Sequence, residues 1–177
     1  MNSSLFRSIR SAFICFVIFF LIVSPAYAQE DDEAGQETDY RHSDLRGQDL
    51  SWLDLSHTQF TSSNANGVSF RNSKLNSADF WGASLVSADF TGAGLIDVDL
   101  SMTDLIGAHF ADANLWGAKL RGADLWGVDF SGAKLICADL KNANIVKANF
   151  SGSNLFGARW VDGSVCGPGS IGICNPI

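Results

Sequence analysis

Large apolar residues recur at every fifth position of this chain, from Leu45 to Val165. The series has 25 members, all of them apolar, and no insertion breaks its register. An α-helix rotates by about 100° per residue, so a step of five scatters these side chains around its surface. On a flat strand, an odd step sends alternate members to opposite faces. Neither element buries the whole series, and the pattern therefore predicts another kind of backbone.

The residues around each large one indicate how that backbone turns. The position two residues earlier is alanine 13 times, and the residue between is often Asp or Asn, as in Ala88-Asp89-Phe90. Two positions apart on an extended segment share a face, so the small and the large residue both point inward. Glycine recurs two residues after the large one, where Gly, Asn and Asp provide turn conformations. The chain is thus predicted to turn every five residues, and a coil of four sides closes after twenty.

The type of large residue also repeats with a period of twenty. One phase continues from Leu50 as phenylalanine, whereas another phase is leucine throughout, from Leu55 to Leu155. Such sorting is expected if like side chains stack on successive coils, and it favours four sides per coil over three. The predicted stack in the core consists of Phe70, Phe90, Phe110, Phe130 and Phe150.

These repeats resemble the pentapeptide repeat family, whose motif is A-(D/N)-L-x-x. The resemblance covers roughly Ser43 to Val165, although Gln48, Leu53 and Thr58 occupy the small position in the first coil. It implies an all-β fold, a right-handed quadrilateral β-helix of about six coils, with the large and small residues stacked inside. The motif is carried by Ala113-Asn114-Leu115, Ala123-Asp124-Leu125 and Ala138-Asp139-Leu140.

In the geometry that this resemblance implies, the residue after each large one points outward. Apolar residues at that position fall into two phases on opposite sides of the coil. One interpretation is that they only pair along stacked strands. The other is that they dock a partner protein or a second copy, with Trp116 and Trp126 as anchors, because tryptophan is enriched in binding hot spots. A third possibility is a carbohydrate or wall polymer bound along Trp81 and other aromatic residues. The two phases are Val86, Ile106, Trp126 and Val146, and Ile96, Trp116, Ile136 and Phe156.

The first residues predict export. Arg7 and Arg10 precede the apolar run Ala12–Val23, and Pro25 is followed by Ala26-Tyr27-Ala28. This pattern is typical of a secretory signal peptide, residues 1–28, cleaved after Ala28. The alternative is a retained membrane anchor, although spanning a bilayer takes about 20 apolar residues. We expect the mature protein in the periplasm of a bacterium, or in the thylakoid lumen if the source is cyanobacterial, with no membrane contact after cleavage.

Three further segments follow the signal. Residues 29–43 are predicted to be an acidic flexible segment, because seven acids and one base lie between Glu30 and Asp44. Residues 44–165 form the predicted solenoid, and residues 166–177 a Gly/Pro-rich cap or tail. In an exported protein, Cys166 and Cys174 could form a disulfide that pins this tail over the last coil. The alternative is two unpaired thiols, and Cys137 is left alone at a turn position.

Charge narrows the choice of function. The chain carries 12 basic and 19 acidic residues, a net charge of −7, which argues against binding nucleic acid. Resemblance to the quinolone-resistance members of the family implies one alternative, a DNA-mimic modulator of a type II topoisomerase. Such mimicry needs a cytoplasmic rod with a strongly acidic stripe. From Leu45 onward there are only 12 acids against 9 bases, and lysines occupy the later coils at Lys119, Lys134, Lys141 and Lys147.

No catalytic chemistry is predicted. His42, His57 and His109 fall in different phases, so they do not converge on a metal or acid-base site. The aspartates recur every five or twenty residues, which indicates a structural role in turns. We therefore expect no enzyme, cofactor or metal site. The favoured hypothesis is a non-catalytic exported scaffold, structural or protein-binding, with an unknown protein partner or self-association.

Overall fold

The computed structural model of this protein describes residues 39–177, and the predicted signal segment lies outside them. Within this range there is neither an α-helix nor a continuous strand. Each five-residue unit instead supplies one β-bridge residue and then a two-residue turn. Among residues 39–177, no helix has the length and hydropathy needed to cross a membrane.

Parallel bridges link residues that are twenty positions apart. They run without a break from Asp39↔Gln59 to Asp139↔Arg159 and fall into four columns. The predicted coil of twenty residues is thereby confirmed. We name its four sides by the bridge residues of the first coil: side A contains Asp44, side B Asp49, side C Asp54 and side D Asp39.

Backbone hydrogen bonds explain why such short units hold together. From Tyr40 to Leu140, the amide of each large residue donates to the next coil, as in Phe90 N to His109 O at 2.7 Å. The amide of the following small residue closes the turn, as in Ala93 N to Phe90 O at 2.9 Å. Buried backbone groups need such partners. Up to the last coil, each coil therefore provides hydrogen-bond partners for the backbone of the one before it, without any long strand.

The interior is a set of side-chain stacks along the axis. In the side B stack, ring centroids are 4.9 Å apart for Phe70–Phe90 and 4.6 Å for Phe90–Phe110. The stack continues at 5.2 and 5.1 Å through Phe130 to Phe150. Each aromatic pair contributes about 0.5–1.5 kcal/mol beyond its buried area. The five phenylalanines singled out from the sequence thus lie in one column.

The second turn residue has positive φ throughout, and its side chain decides what the next coil can carry. At Asp97 φ is 55°, and the carboxylate lies over Gly117, where a Cβ atom would collide with it. Asn72 lies in the same way over Gly92, with Oδ1 2.5 Å from where a Cβ would be. Glycine at such a position avoids this collision as well as the cost of a left-handed backbone for other residues.

The solenoid begins earlier than the predicted boundary between residues 43 and 44. Asp39 already bridges Gln59, and Tyr40 is buried with its ring 5.2 Å from Phe60. Tyr40 lies five residues before Leu45 and so continues the large series. Because acidic residues surround Tyr40, the sequence pattern there favoured a flexible segment over a coil. Residues 39–43 therefore belong to the first coil, and the predicted flexible segment lies otherwise outside the described residues.

At the other end the chain leaves the repeat after Trp160 and reverses, so the predicted end of the solenoid at residue 165 is wrong, and Val165 is exposed instead of buried in the core. Antiparallel bridges join Arg159 to Val165 on side D and Asn154 to Ile171 on side C. Cys166 and Cys174 form a disulfide with an S–S distance of 2.03 Å. The segment 161–177, which we call the cap, thus covers sides C and D of the last coil.

Candidate interaction surfaces

The apolar residues predicted to face outward lie at the corners of the coil, in turn positions. We call the two rows stripe 1, between sides A and B, and stripe 2, between sides C and D. Ten residues, half a coil, separate Trp116 from Trp126, so the two anchors lie at opposite corners. They cannot contribute to a single patch. Stripe 1 consists of Val86, Ile106, Trp126 and Val146, and stripe 2 of Ile96, Trp116, Ile136 and Phe156.

Stripe 1 is partly covered by charge. Trp126 is 41% exposed, and the Lys147 ammonium lies 4.7 Å from its ring centroid. Such a cation–π contact is worth about 0.5–1 kcal/mol at an exposed site. Val146 is exposed one coil later, whereas Val86 and Ile106 are half-buried. A partner at this corner would have to displace or accommodate the lysine.

Stripe 2 is the more open of the two. Trp116 is 53% exposed and Phe156 50% exposed, two coils apart, with half-buried isoleucines between and before them. Among residues 39–177, no cation lies over the Trp116 ring. The adjoining face of side C carries Gly94, Asn114 and Lys134 and no acid in these coils. Contiguous exposed apolar residues of this kind are typical of binding surfaces.

The aspartates on the sides hold turns and pair with bases. Asp89 accepts a hydrogen bond from Thr91 N at 2.9 Å and one from the Arg71 guanidinium at 2.7 Å. Asp99 pairs with Lys119 at 3.3 Å. Much of the negative charge on the described coils is therefore compensated locally.

Two aspartates of the first coil are the most strongly perturbed acids. Hydrogen bonds from the Arg41 side chain and backbone lower the pKa of Asp39 to about 2. Arg46 lowers the pKa of Asp44 to about 2 in the same way. Both carboxylates are exposed and close their own turns, so these shifts indicate structural roles and not catalysis.

Comparison with known protein families also identifies the five-residue repeat. The family model for pentapeptide repeats matches residues 54–92, 88–127 and 127–159, in eight copies. This chain belongs to the pentapeptide repeat family. No curated protein matches it.

Thirty-six chains of solved structures are similar to this pentapeptide repeat protein. One is Rfr23 from the cyanobacterium Cyanothece 51142, with 24% identity over 63% of this chain and 82% of that one, at a TM-score of 0.43. Another, from the Arabidopsis thaliana thylakoid lumen, is 29% identical over 70% and 72%, at a TM-score of 0.29. QnrB1, a plasmid-mediated fluoroquinolone resistance protein, is 22% identical over 75% and 79%, at a TM-score of 0.37.

Sequence reasoning missed two prominent side chains of this pentapeptide repeat protein. Trp52 is 77% exposed and Met102 is also exposed, both at the second turn position with positive φ. Their spacing two residues after Leu50 and Leu100 would have placed them at a corner. The sequence pattern did not single them out, because glycine is the commonest residue type at that position.

The three histidines remain apart on this frame. His42 and His57 lie at different corners, and His109 lies on side B. In the part of the chain that the structure describes, no group of three His, Cys, Asp or Glu side chains could hold a metal ion. Cys137 is a free, exposed thiol at the corner of stripe 2. The surface of residues 39–177 therefore provides area for contact with another molecule, on a backbone that is hydrogen-bonded from coil to coil.

Proposed function

We propose that this pentapeptide repeat protein is an exported, non-catalytic scaffold that binds another protein through stripe 2. The observation that supports this most is the exposure of Trp116 and Phe156 on one corner, in line with half-buried Ile96 and Ile136. Large apolar side chains leave water favourably, at roughly 25 cal/mol per Å² of buried apolar area. A partner that covers this corner removes its apolar area from water, and this burial stabilises the complex relative to the separate proteins.

The frame beneath the stripe favours binding. Gly117 N donates to Ile136 O at 2.9 Å, and Cys137 N donates to Phe156 O at 3.0 Å. These bonds fix successive corner residues relative to one another. A surface that is rigid before binding loses less conformational entropy when a partner docks.

We further infer that the fold is a right-handed quadrilateral β-helix of about six coils. We also infer that residues 1–28 are a signal peptide that directs export of the protein. The disulfide between Cys166 and Cys174 supports an oxidising compartment, because such bonds persist outside the reducing cytosol. The periplasm and the thylakoid lumen both remain within this proposal. N-terminal sequencing of the mature protein in its compartment tests it, and an intact Met1 in the cytoplasm would contradict export.

Inhibition or protection of a type II topoisomerase is the alternative function. It has less support, because mimicry needs a strongly acidic stripe, whereas Asp89, Asp99 and Asp139 each pair with a basic side chain. A gyrase supercoiling assay with the mature protein separates the two functions. Inhibition or drug protection at micromolar protein would favour mimicry over the scaffold.

The test of the scaffold compares the two corners. The Trp116→Ser/Phe156→Ser variant should lose at least ten-fold in affinity for a protein captured from the same compartment. Trp126→Ser is the matched control, since it removes a tryptophan from the corner that Lys147 already covers. Capture that is equal for all three proteins would contradict stripe 2 as the binding surface. Sedimentation of the wild type alone reports whether the partner is a second copy.

A further inference from the structure

Side A of the last coil ends without a partner strand. Within residues 39–177, the amides of Ile145 and Lys147 and the carbonyl of Ala143 have no hydrogen-bond partner. One coil earlier the same positions are all paired, as in Leu125 N to Asn144 O at 2.8 Å and Gly127 N to Val146 O at 3.0 Å. We call residues 143–148 the open edge. An unpaired β edge is a template for another extended chain.

The floor of this edge is apolar and reachable by solvent. Ile145 and Ala148 are only half-buried, whereas Leu125 and Val128, their counterparts one coil earlier, are fully buried. Val146, between them, is 55% exposed. The cap covers sides C and D but leaves this place uncovered. One extended segment laid on this edge would bring an apolar side chain over Ile145, as each earlier coil does for the one before it.

Charge distinguishes this coil from the others. Residues 140–161 contain Lys141, Lys147 and Arg159 and no acid, in a chain whose net charge is −7. Every earlier coil that the structure describes carries at least one aspartate. Lys141 lies in the turn before the bridge residue Asn144 of side A, and Lys147 lies in the turn after it. This surface is therefore complementary to an acidic segment.

We propose that the open edge binds an extended acidic segment of another protein as an added β-strand. Carbonyl oxygens of that segment accept from the amides of Ile145 and Lys147, and one of its amides donates to Ala143 O. An apolar side chain of the segment packs on Ile145, and its carboxylates lie near the two lysines. This site is separate from stripe 2 and does not depend on the proposed function.

Hydrogen exchange at single amides tests the proposal on the exported protein. In the protein alone, the amides of Ile145 and Lys147 should exchange much faster than those of Leu125 and Gly127. A synthetic octapeptide of alternating aspartate and leucine should slow the first pair at least ten-fold and leave the second pair unchanged. Unchanged exchange at Ile145 and Lys147 with saturating peptide would overturn the proposal.

Controls separate this occupant from others. The same octapeptide with lysine in place of aspartate should protect at least ten-fold less. Lys147→Glu should weaken the aspartate peptide several-fold, and Lys134→Glu, an equal charge change on side C, should not. Equal protection by the lysine peptide, or by a short oligonucleotide, would overturn the acidic-peptide assignment. Protection that appears on concentrating the protein alone would assign the edge to a second copy and overturn it too.

Discussion

The interior and the corners of this coil obey different rules. In the interior, large residues such as Phe90 contact their counterparts in the coils on either side, and the series keeps its register from Tyr40 to Trp160. At the corners, the residue after the large one ranges from arginine to tryptophan, as at Arg121 and Trp126. Backbone amides of one coil donate to the next at both places, as in Phe110 N to Asp129 O at 2.7 Å and Gly117 N to Ile136 O at 2.9 Å. The difference teaches that packing constrains the interior, whereas the corners vary without loss of the fold and are free to carry recognition.

The largest effect should come from the interior. Phe110 is fully buried, with rings 4.6 and 5.2 Å away on either side. Phe110→Ala should lower the free energy of unfolding by about 3–5 kcal/mol, because a cavity remains and two ring contacts are lost. Denaturant unfolding measures this change. Trp116→Ala, at a corner, should cost less than about 1 kcal/mol, and equal costs would contradict the contrast.

Removing the disulfide should have the next largest effect. Cys166→Ser/Cys174→Ser should lower the free energy of unfolding by about 2–4 kcal/mol, because the bond restricts the unfolded chain and holds the cap on sides C and D. Unfolding of the oxidised wild type, the reduced wild type and the variant measures it. The reduced wild type should match the variant. A Cys137→Ser control should leave stability within about 0.5 kcal/mol.

Glycines at the corners separate space from conformation. Gly117 and Gly127 have φ of 69° and 66°, but only Gly117 lies beneath a side chain, that of Asp97. Gly127→Ala should cost about 1–2 kcal/mol for the left-handed backbone alone. Gly117→Ala should cost about 1 kcal/mol more, since the carboxylate must move.

The double variant Asp97→Ala/Gly117→Ala tests the cause. It should return the cost of Gly117→Ala to that of Gly127→Ala in the same unfolding measurement. If the double variant is no better than the single one, contact with Asp97 does not explain the glycine.

Much of this architecture could be predicted from the sequence because interior contacts repeat. The family and the twenty-residue coil are confirmed; the coil follows from the spacing of residues such as Phe90 and Phe110, and the family from resemblance to its A-(D/N)-L motif. The predicted start at residue 44 was wrong by one unit, because the acidic residues around Tyr40 favoured a flexible segment over the evidence of a single aromatic residue. The exposure of Trp52 was missed because this residue lies at the second turn position, where glycine is the commonest residue type. The open edge could not be predicted, since it depends on where the cap reverses.

The smallest expected effect concerns acid and the first coil. In the folded protein the pKa of Asp44 is lowered to about 2, from an ordinary 3.8, mainly by hydrogen bonds from Arg46. Because the folded state binds this proton less readily than the unfolded chain, the contribution is complete above pH 3.8. It is lost as the pH falls through 2. Asp39, lowered to about 2 by Arg41, behaves alike.

Amide exchange locates this loss at one end of the coil. Between pH 5 and pH 2, protection of Leu45, which donates to Asn64 O at 2.8 Å, should fall relative to that of Leu105, which donates to Asp124 O at 2.9 Å. Arg46→Gln should reduce the difference, since the charged donor to Asp44 is then gone. Parallel loss at Leu45 and Leu105 would mean that acid acts on the whole coil and not on its first turn. In that case interior packing, such as the stacking of Tyr40 on Phe60, would stabilise the first coil without a contribution from the Asp44–Arg46 pair.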